Sequence, residues 1–113
     1  MATPAVEAVV LVRFPFSDLS RSTLRPAVVL ADVGRGDYIL CQITSNPYAD
    51  PDALELRDEH FSQGSLQRTS HARPGKLFTA NDSLIAREVG GLKTEARRAI
   101  ADAIGELLRK GLP

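Results

Sequence analysis

Helical periodicity occurs once in this chain, close to its end. Ile100, Ile104, Leu107 and Leu108 recur at the spacing of one helix face. Thr94 is the expected N-cap, with Glu95 in the first turn; Arg109 and Lys110 suit the last turn and Gly111 ends it. Everything before Thr94 is built differently. Val6–Phe14, Pro26–Ala31 and Asp37–Thr44 are short apolar runs of strand character. They are separated by the polar loop Ser17–Leu24 and by Asp32–Asp37, a turn with two glycines. A loop with two prolines, Asn46–Asp52, follows the third run. Ala53–Arg57 reads as a short strand, Asp58–Ser70 as a long polar connection, and His71–Thr79 as partly extended despite Pro74-Gly75. Ser83–Val89 fits either a turn of helix or a short edge strand. A run of short strands followed by a single amphipathic helix predicts a mainly β fold: a small, bent barrel with the helix of Thr94–Lys110 packed on it.

A chain of 113 residues makes one domain, here 1–113, with one ordinary core. Its 14 basic and 14 acidic residues cancel, which is not the balance of a protein that coats nucleic acid without specificity. A local patch is still open to it. Arg13, Arg21, Arg25, Arg68, Arg73 and Lys76 are candidates, with many acids segregated at Asp50, Asp52, Glu55, Asp58 and Glu59. Cys41 is the single cysteine and lies in an apolar run, so it reads as a buried thiol and no intrachain disulfide can form. Two histidines far apart give no metal-binding spacing, and no metal or cofactor is expected. The first apolar run is bracketed by Glu7 and Arg13, unlike a signal peptide or a membrane span, and the expected compartment is the cytoplasm.

Alternation along Asp37–Thr44 sets Ile39, Cys41 and Ile43 on one side and Leu40, Gln42 and Thr44 on the other. The first set reads as core. Thr44 then faces away from it at the strand's end, followed by Ser45 and Asn46. Such a terminus can offer hydroxyl and amide groups to a ligand, or simply begin a turn. Arg25 precedes Pro26 at the mouth of an apolar strand, where the residue before proline is held extended. Its planar fork suits two phosphate oxygens, and equally a surface ion pair. Arg73-Pro74 repeats the same local grammar.

Four segments in order carry a resemblance: Phe14-Pro15-Phe16-Ser17-Asp18-Leu19, Leu24-Arg25-Pro26-Ala27-Val28-Val29-Leu30, Leu40-Cys41-Gln42-Ile43-Thr44-Ser45 and Arg73-Pro74-Gly75-Lys76-Leu77-Phe78-Thr79. Ser83-Leu84-Ile85 follows in keeping. From about Val9 to Leu108 the chain resembles the PemK/MazF toxins of bacterial type II toxin–antitoxin pairs. The resemblance implies an SH3-like barrel of the CcdB/PemK kind, usually dimeric. It implies an endoribonuclease that cuts single-stranded RNA at specific sequences without metal and is neutralised by a cognate antitoxin. The toxin–antitoxin complex would act on operator DNA. Arg25, Thr44 and Arg73 match the family's active-site positions. Ser17, Gln42, Ser45 and Lys76 would contact RNA. The implied reaction is attack of a 2′-hydroxyl on the adjacent phosphorus, giving a 2′,3′-cyclic phosphate and a 5′-hydroxyl. It needs charge stabilisation, a proton acceptor and help for the leaving oxygen.

The sequence departs from the family where the proton acceptor is concerned. The loop before Arg25 carries Ser20, Arg21 and Ser22 in place of a glutamate, and Gly75 stands where relatives often have an aspartate. Glu7-Ala8 replaces the usual glycine–acid opening. Asp18 and His71 are the candidate bases. Imidazole changes protonation near neutral pH, and alternation would set His71 and Arg73 on one face of an extended segment. Two other readings stand beside this one: a non-enzymatic toxin resembling CcdB that binds gyrase, and an SH3-like interaction module. A peptide groove of the latter is usually lined with aromatics, and this chain has two Tyr, four Phe and no Trp. The mixed charges of Arg97, Arg98, Asp102, Glu106 and Arg109 read as the solvated face of the last helix.

Overall fold

A computed structural model describes residues 4–14, 23–47 and 49–113. Seven strands form one sheet: β1 (Ala8–Phe14), β2 (Thr23–Gly34), β3 (Asp37–Thr44), β4 (Leu54–Leu56), β5 (Phe61–Gly64), β6 (Ser70–Asn81) and β7 (Ile85–Leu92). Their order across it is β4-β6-β3-β2-β1-β7-β5, and every neighbouring pair is antiparallel. Helix α1 (Thr94–Arg109) closes the described chain's regular structure. The result is the expected mainly β half-barrel with one C-terminal helix.

β3 buries side chains on both sides, which corrects the one-sided reading. Cys41 and Ile43 join Val9, Val28, Ala72, Leu92 and Ile100 in one cluster; Tyr38 and Leu40 join Val10, Val12, Ala27 and Val29 in another. Cys41 and Ile43 share one cluster, as alternation predicts, but Ile39, expected in the same core set, is half-buried and belongs to neither cluster. Alternation could not say that the bent sheet covers the second face as well. A strand buried on both faces must be apolar at odd and even positions alike, and the valine run of β1 satisfies this with Val9 on one side and Val10 and Val12 on the other.

β2 is longer than the expected Pro26–Ala31, taking in the end of the expected Ser17–Leu24 loop and the start of the expected Asp32–Asp37 turn, and three further segments differ from the sequence expectation. The polar connection after Arg57 contains a single 3-10 turn at Asp58–His60 and then strand β5. Its weak signal has a steric cause. β5 lies beside β7 at a glycine-rich seam, with Gly64 level with Gly90. Gly64 has φ +67, and a Cβ there would sit 2.2 Å from the Val89 carbonyl oxygen. Close approach of the two backbones requires glycine, so the strand lacks the β-branched residues that announce one. Ser83–Val89 resolves into a 3-10 turn, Asp82–Leu84, and the start of β7, an interior strand between β1 and β5. Thr94 is the first helical residue and Lys93 the cap, whose side chain makes no capping bond. Lys93 instead ties the helix start to the turn, donating its N–H to the His60 carbonyl at 2.9 Å.

Burial fades along α1. Ile100 is fully buried against the sheet, Ile104 is half-buried, and Leu108, expected in the core stripe, is 72% exposed. The final turn therefore gains little from the sheet.

Two prolines interrupt the hydrogen-bond ladders, and both matter for the site. Pro26 has no N–H to give. The β2–β3 ladder starts one residue later, at Ala27 opposite Gln42, while β1 continues to pair β2 as far as Thr23. β2 and β3 thus part at Pro26. In β6 the four residues Arg73-Pro74-Gly75-Lys76, between the paired Ala72 and Leu77, stand opposite the single residue Gln42 of β3, a bulge in the strand.

Candidate active site

The gap where β2 and β3 part is a cleft of about 260 Å³. Arg25 and Pro26 line it from β2, and Ile43, Thr44 and Ser45 from the end of β3. Leu66, Arg68 and Ser70 line it from the connection into β6. Arg25 is exposed and has no partner among the described residues. Arg68 is also exposed, so the cleft offers two guanidinium groups with no ion-pair partner among the described residues. Arg68 entered the sequence reading only as one member of a basic patch. A lone arginine in a polar connection carries no local signal; only the return of the chain into β6 brings it to Arg25.

Thr44 occupies the junction of cleft and sheet. Its Oγ1 accepts from the Asn46 N–H at 3.1 Å and donates to the Asn46 carbonyl at 2.9 Å. The hydroxyl thereby shapes the turn after β3. To donate to a ligand it must give up the carbonyl. On the other side Thr44 pairs with His71 across β3 and β6, and His71 pairs in turn with Glu55 on β4. Directly paired residues of antiparallel strands share a face, so Thr44, His71 and Glu55 form one row. His71 Nδ1 is buried without a hydrogen-bond partner. His71 is not among the residues that line the cleft.

Arg73 does not line the cleft. Its Nε donates to Asp50 Oδ2 at 2.9 Å, and the two side chains are only 19% and 13% exposed. The Arg73 hydrogen bond holds the Asp50 carboxyl below its usual pKa, helped by the N–H of Asp52 and, at longer range, by the charge of Lys76. One of the five donors of the Arg73 fork is thus committed. Its carbonyl lies 3.2 Å from the Cys41 thiol, which donates to it. Burial pushes that thiol's pKa up to about 12, which removes Cys41 as a nucleophile near neutrality.

Of the expected RNA contacts, Ser45 lines the cleft, Gln42 is half-buried beside Ala27, and Lys76 is exposed on the β6 bulge. Ser17 and Asp18 lie outside the described residues. Among the described residues no group of His, Cys, Asp and Glu is placed to hold a metal ion, and no helix is long and apolar enough to cross a membrane.

Residues 6–108 match the model of the PemK-like, MazF-like toxins of type II toxin–antitoxin systems. The chain belongs to this family. No curated protein is similar to it in sequence. Solved structures share its fold at low identity. MazE–MazF from Deinococcus radiodurans is 17% identical, with a TM-score of 0.76 and full coverage of both chains. An endoribonuclease in complex with its cognate antitoxin, from a mycobacterial species, is 14% identical, with a TM-score of 0.72 over 100% of this chain and 98% of that one. The Mycobacterium tuberculosis toxin MazF-mt6 is 17% identical, with a TM-score of 0.69 over 89% and 95%. The MazF-like fold and family are therefore settled together, and the PemK/MazF resemblance of the four sequence segments holds for the chain.

Proposed function

We propose that this toxin is a sequence-specific endoribonuclease that cuts single-stranded RNA without a metal, by attack of the 2′-hydroxyl on the adjacent phosphorus. The observation that carries the reading is the cleft in which Arg25, Thr44 and Arg68 meet. Family membership gives the reaction class, and the cleft supplies what it needs. Arg25 and Arg68 bracket the phosphate and offset the charge that grows on its non-bridging oxygens. Arg25 is the stronger candidate for a two-pronged contact, because proline holds its backbone extended.

As the 2′-oxygen bonds to phosphorus, its proton must leave. His71, paired with Thr44 across β3 and β6, takes it. The P–O5′ bond then breaks, and the departing 5′-oxygen takes a proton from solvent water while the base returns its own proton to solvent. Asp18 is the alternative acceptor. The Thr44 hydroxyl exchanges its Asn46 carbonyl for a phosphate oxygen. Arg73, oriented by Asp50, adds positive field from the same strand as His71 with its remaining N–H groups. Gln42, Ser45, Lys76 and Ser17 hold the flanking RNA. The working form is a homodimer in the cytoplasm, and a cognate antitoxin silences it, in a complex that also binds operator DNA.

The test is incubation of purified protein with a long single-stranded RNA in excess EDTA, followed by end analysis. Fragments bearing 2′,3′-cyclic phosphates and 5′-hydroxyls are expected at a restricted set of sequences. Intact RNA, or cutting that EDTA abolishes, would refute the assignment.

A further inference from the structure

Arg68 belongs to two depressions at once. One is the cleft with Arg25 and Thr44. The other, about 370 Å³, is lined by Arg57, Asp58, Glu59, Gln67, Arg68 and Thr69. That volume lies in the range of small-ligand pockets, roughly 300–1,000 Å³. The cleft with the two arginines and a pocket of small-ligand size therefore adjoin through Arg68.

The pocket wall is organised. Asp58 accepts from the Ser65 hydroxyl at 2.8 Å, and Ser65 Oγ accepts from the Gln67 N–H at 2.8 Å. Gln67 itself is held at φ +66, a left-handed conformation that a residue with a side chain keeps only when its surroundings impose it. Opposite, His60 Nδ1 accepts from the Arg57 N–H at 2.8 Å and fixes the turn that presents Asp58 and Glu59. Asp58 is engaged by Ser65, whereas the Glu59 carboxylate has no partner among the described residues. Arg57 Nε is held by Glu55 at 2.7 Å, so the lining is of two kinds: an open carboxylate, and donors from Arg68, the Gln67 side chain and the remaining N–H groups of Arg57.

We propose that this pocket holds the base of the nucleotide next to the phosphate bound by Arg25 and Arg68, and that it selects guanine; the inference rests on the endoribonuclease reading above. Among the four RNA bases, guanine alone presents two N–H donors side by side, N1–H and the N2 amino group, matching the two oxygens of Glu59. Its O6 and N7 are acceptors suited to an arginine fork. Single-stranded RNA is read in this way, on splayed bases with exposed edges. The same carboxylate would face an acceptor, N1 of adenine or N3 of cytosine, beside the amino group of either base, and only one N–H on uracil.

Binding and cleavage separate the two ideas. Short 2′-O-methyl oligonucleotides cannot be cleaved, so anisotropy with them reports recognition alone. One carries a single guanine among uracils; its twin carries hypoxanthine, which lacks the N2 amino group. The guanine form should bind about tenfold more tightly, as expected for loss of one leg of a paired contact. The difference should vanish in Glu59→Gln, a substitution on an exposed residue. Equal binding of both oligonucleotides to the wild type, no binding of either, or a preference that survives Glu59→Gln overturns the proposal. The matching 2′-hydroxyl oligonucleotides test the nuclease reading: discrimination without cleavage supports the pocket and defeats the nuclease, and cleavage without discrimination does the reverse.

Discussion

Arg25→Ala tests the proposed site most cleanly, because the structure separates its effect on rate from its effect on folding. Arg25 is exposed, lies beyond the Pro26 end of the β2–β3 ladder and has no described partner. Removing its side chain breaks no ladder bond and empties no core volume, so stability should stay within about 0.5 kcal/mol of wild type. Rate is another matter. A donor aimed at developing charge commonly contributes a factor of roughly 10²–10³, or about 2.7–4 kcal/mol. Arg25→Lys keeps the charge and loses the fork. A lost hydrogen bond to a charged group costs about 1.5–3 kcal/mol, so lysine should still be slower by about tenfold or more. The assay is single-turnover cleavage of a fluorogenic RNA in EDTA, with urea unfolding of each variant beside it. Near wild-type rate in Arg25→Ala would refute the reasoning. So would a rate loss accompanied by an equal loss of stability, since that would make Arg25 structural.

Ile100→Ala should cost about 2–5 kcal/mol in urea unfolding, because Ile100 is the one fully buried residue of α1, whereas Leu108→Ala should stay within about 0.5 kcal/mol. Gly64→Ala should lose more than about 1 kcal/mol, seen as a lowered urea midpoint, since the new Cβ meets the Val89 carbonyl and φ is positive. Asp50 has its pKa depressed in the folded chain, chiefly by Arg73. Stability from that depression is fully present at neutral pH and is lost as pH falls through the lowered folded value. Asp50→Asn should therefore be less stable than wild type near neutrality and converge on it in acid; midpoint-versus-pH curves that run parallel would contradict this.

Composition and periodicity were enough to determine which stretches are strands in the apolar half of this chain. Asp37–Thr44 was legible to the residue because its turn glycines and its apolar run are local properties. The single amphipathic helix was equally plain, and the order of four short segments pointed to the family. β5 was not legible. Its identity as a strand comes from the close approach of Gly64 to Gly90, and a glycine seam carries no β signature of its own. The double burial of β3 also depended on tertiary structure, since alternation assigns faces but not what covers them.

The site divides along the same line. Arg25 and Thr44 could be singled out because each ends or opens a strand, and a proline or a run of polar residues marks such positions. Where their partners lie depends on pairing register. The bulge in β6 sets Arg73 against Asp50, outside the cleft, and the returning connection supplies Arg68 in its stead. Sequence fixes side-chain direction only relative to its own strand. Which cations share a cleft is decided by where neighbouring strands part, and here β2 and β3 part at Pro26, which has no N–H to give.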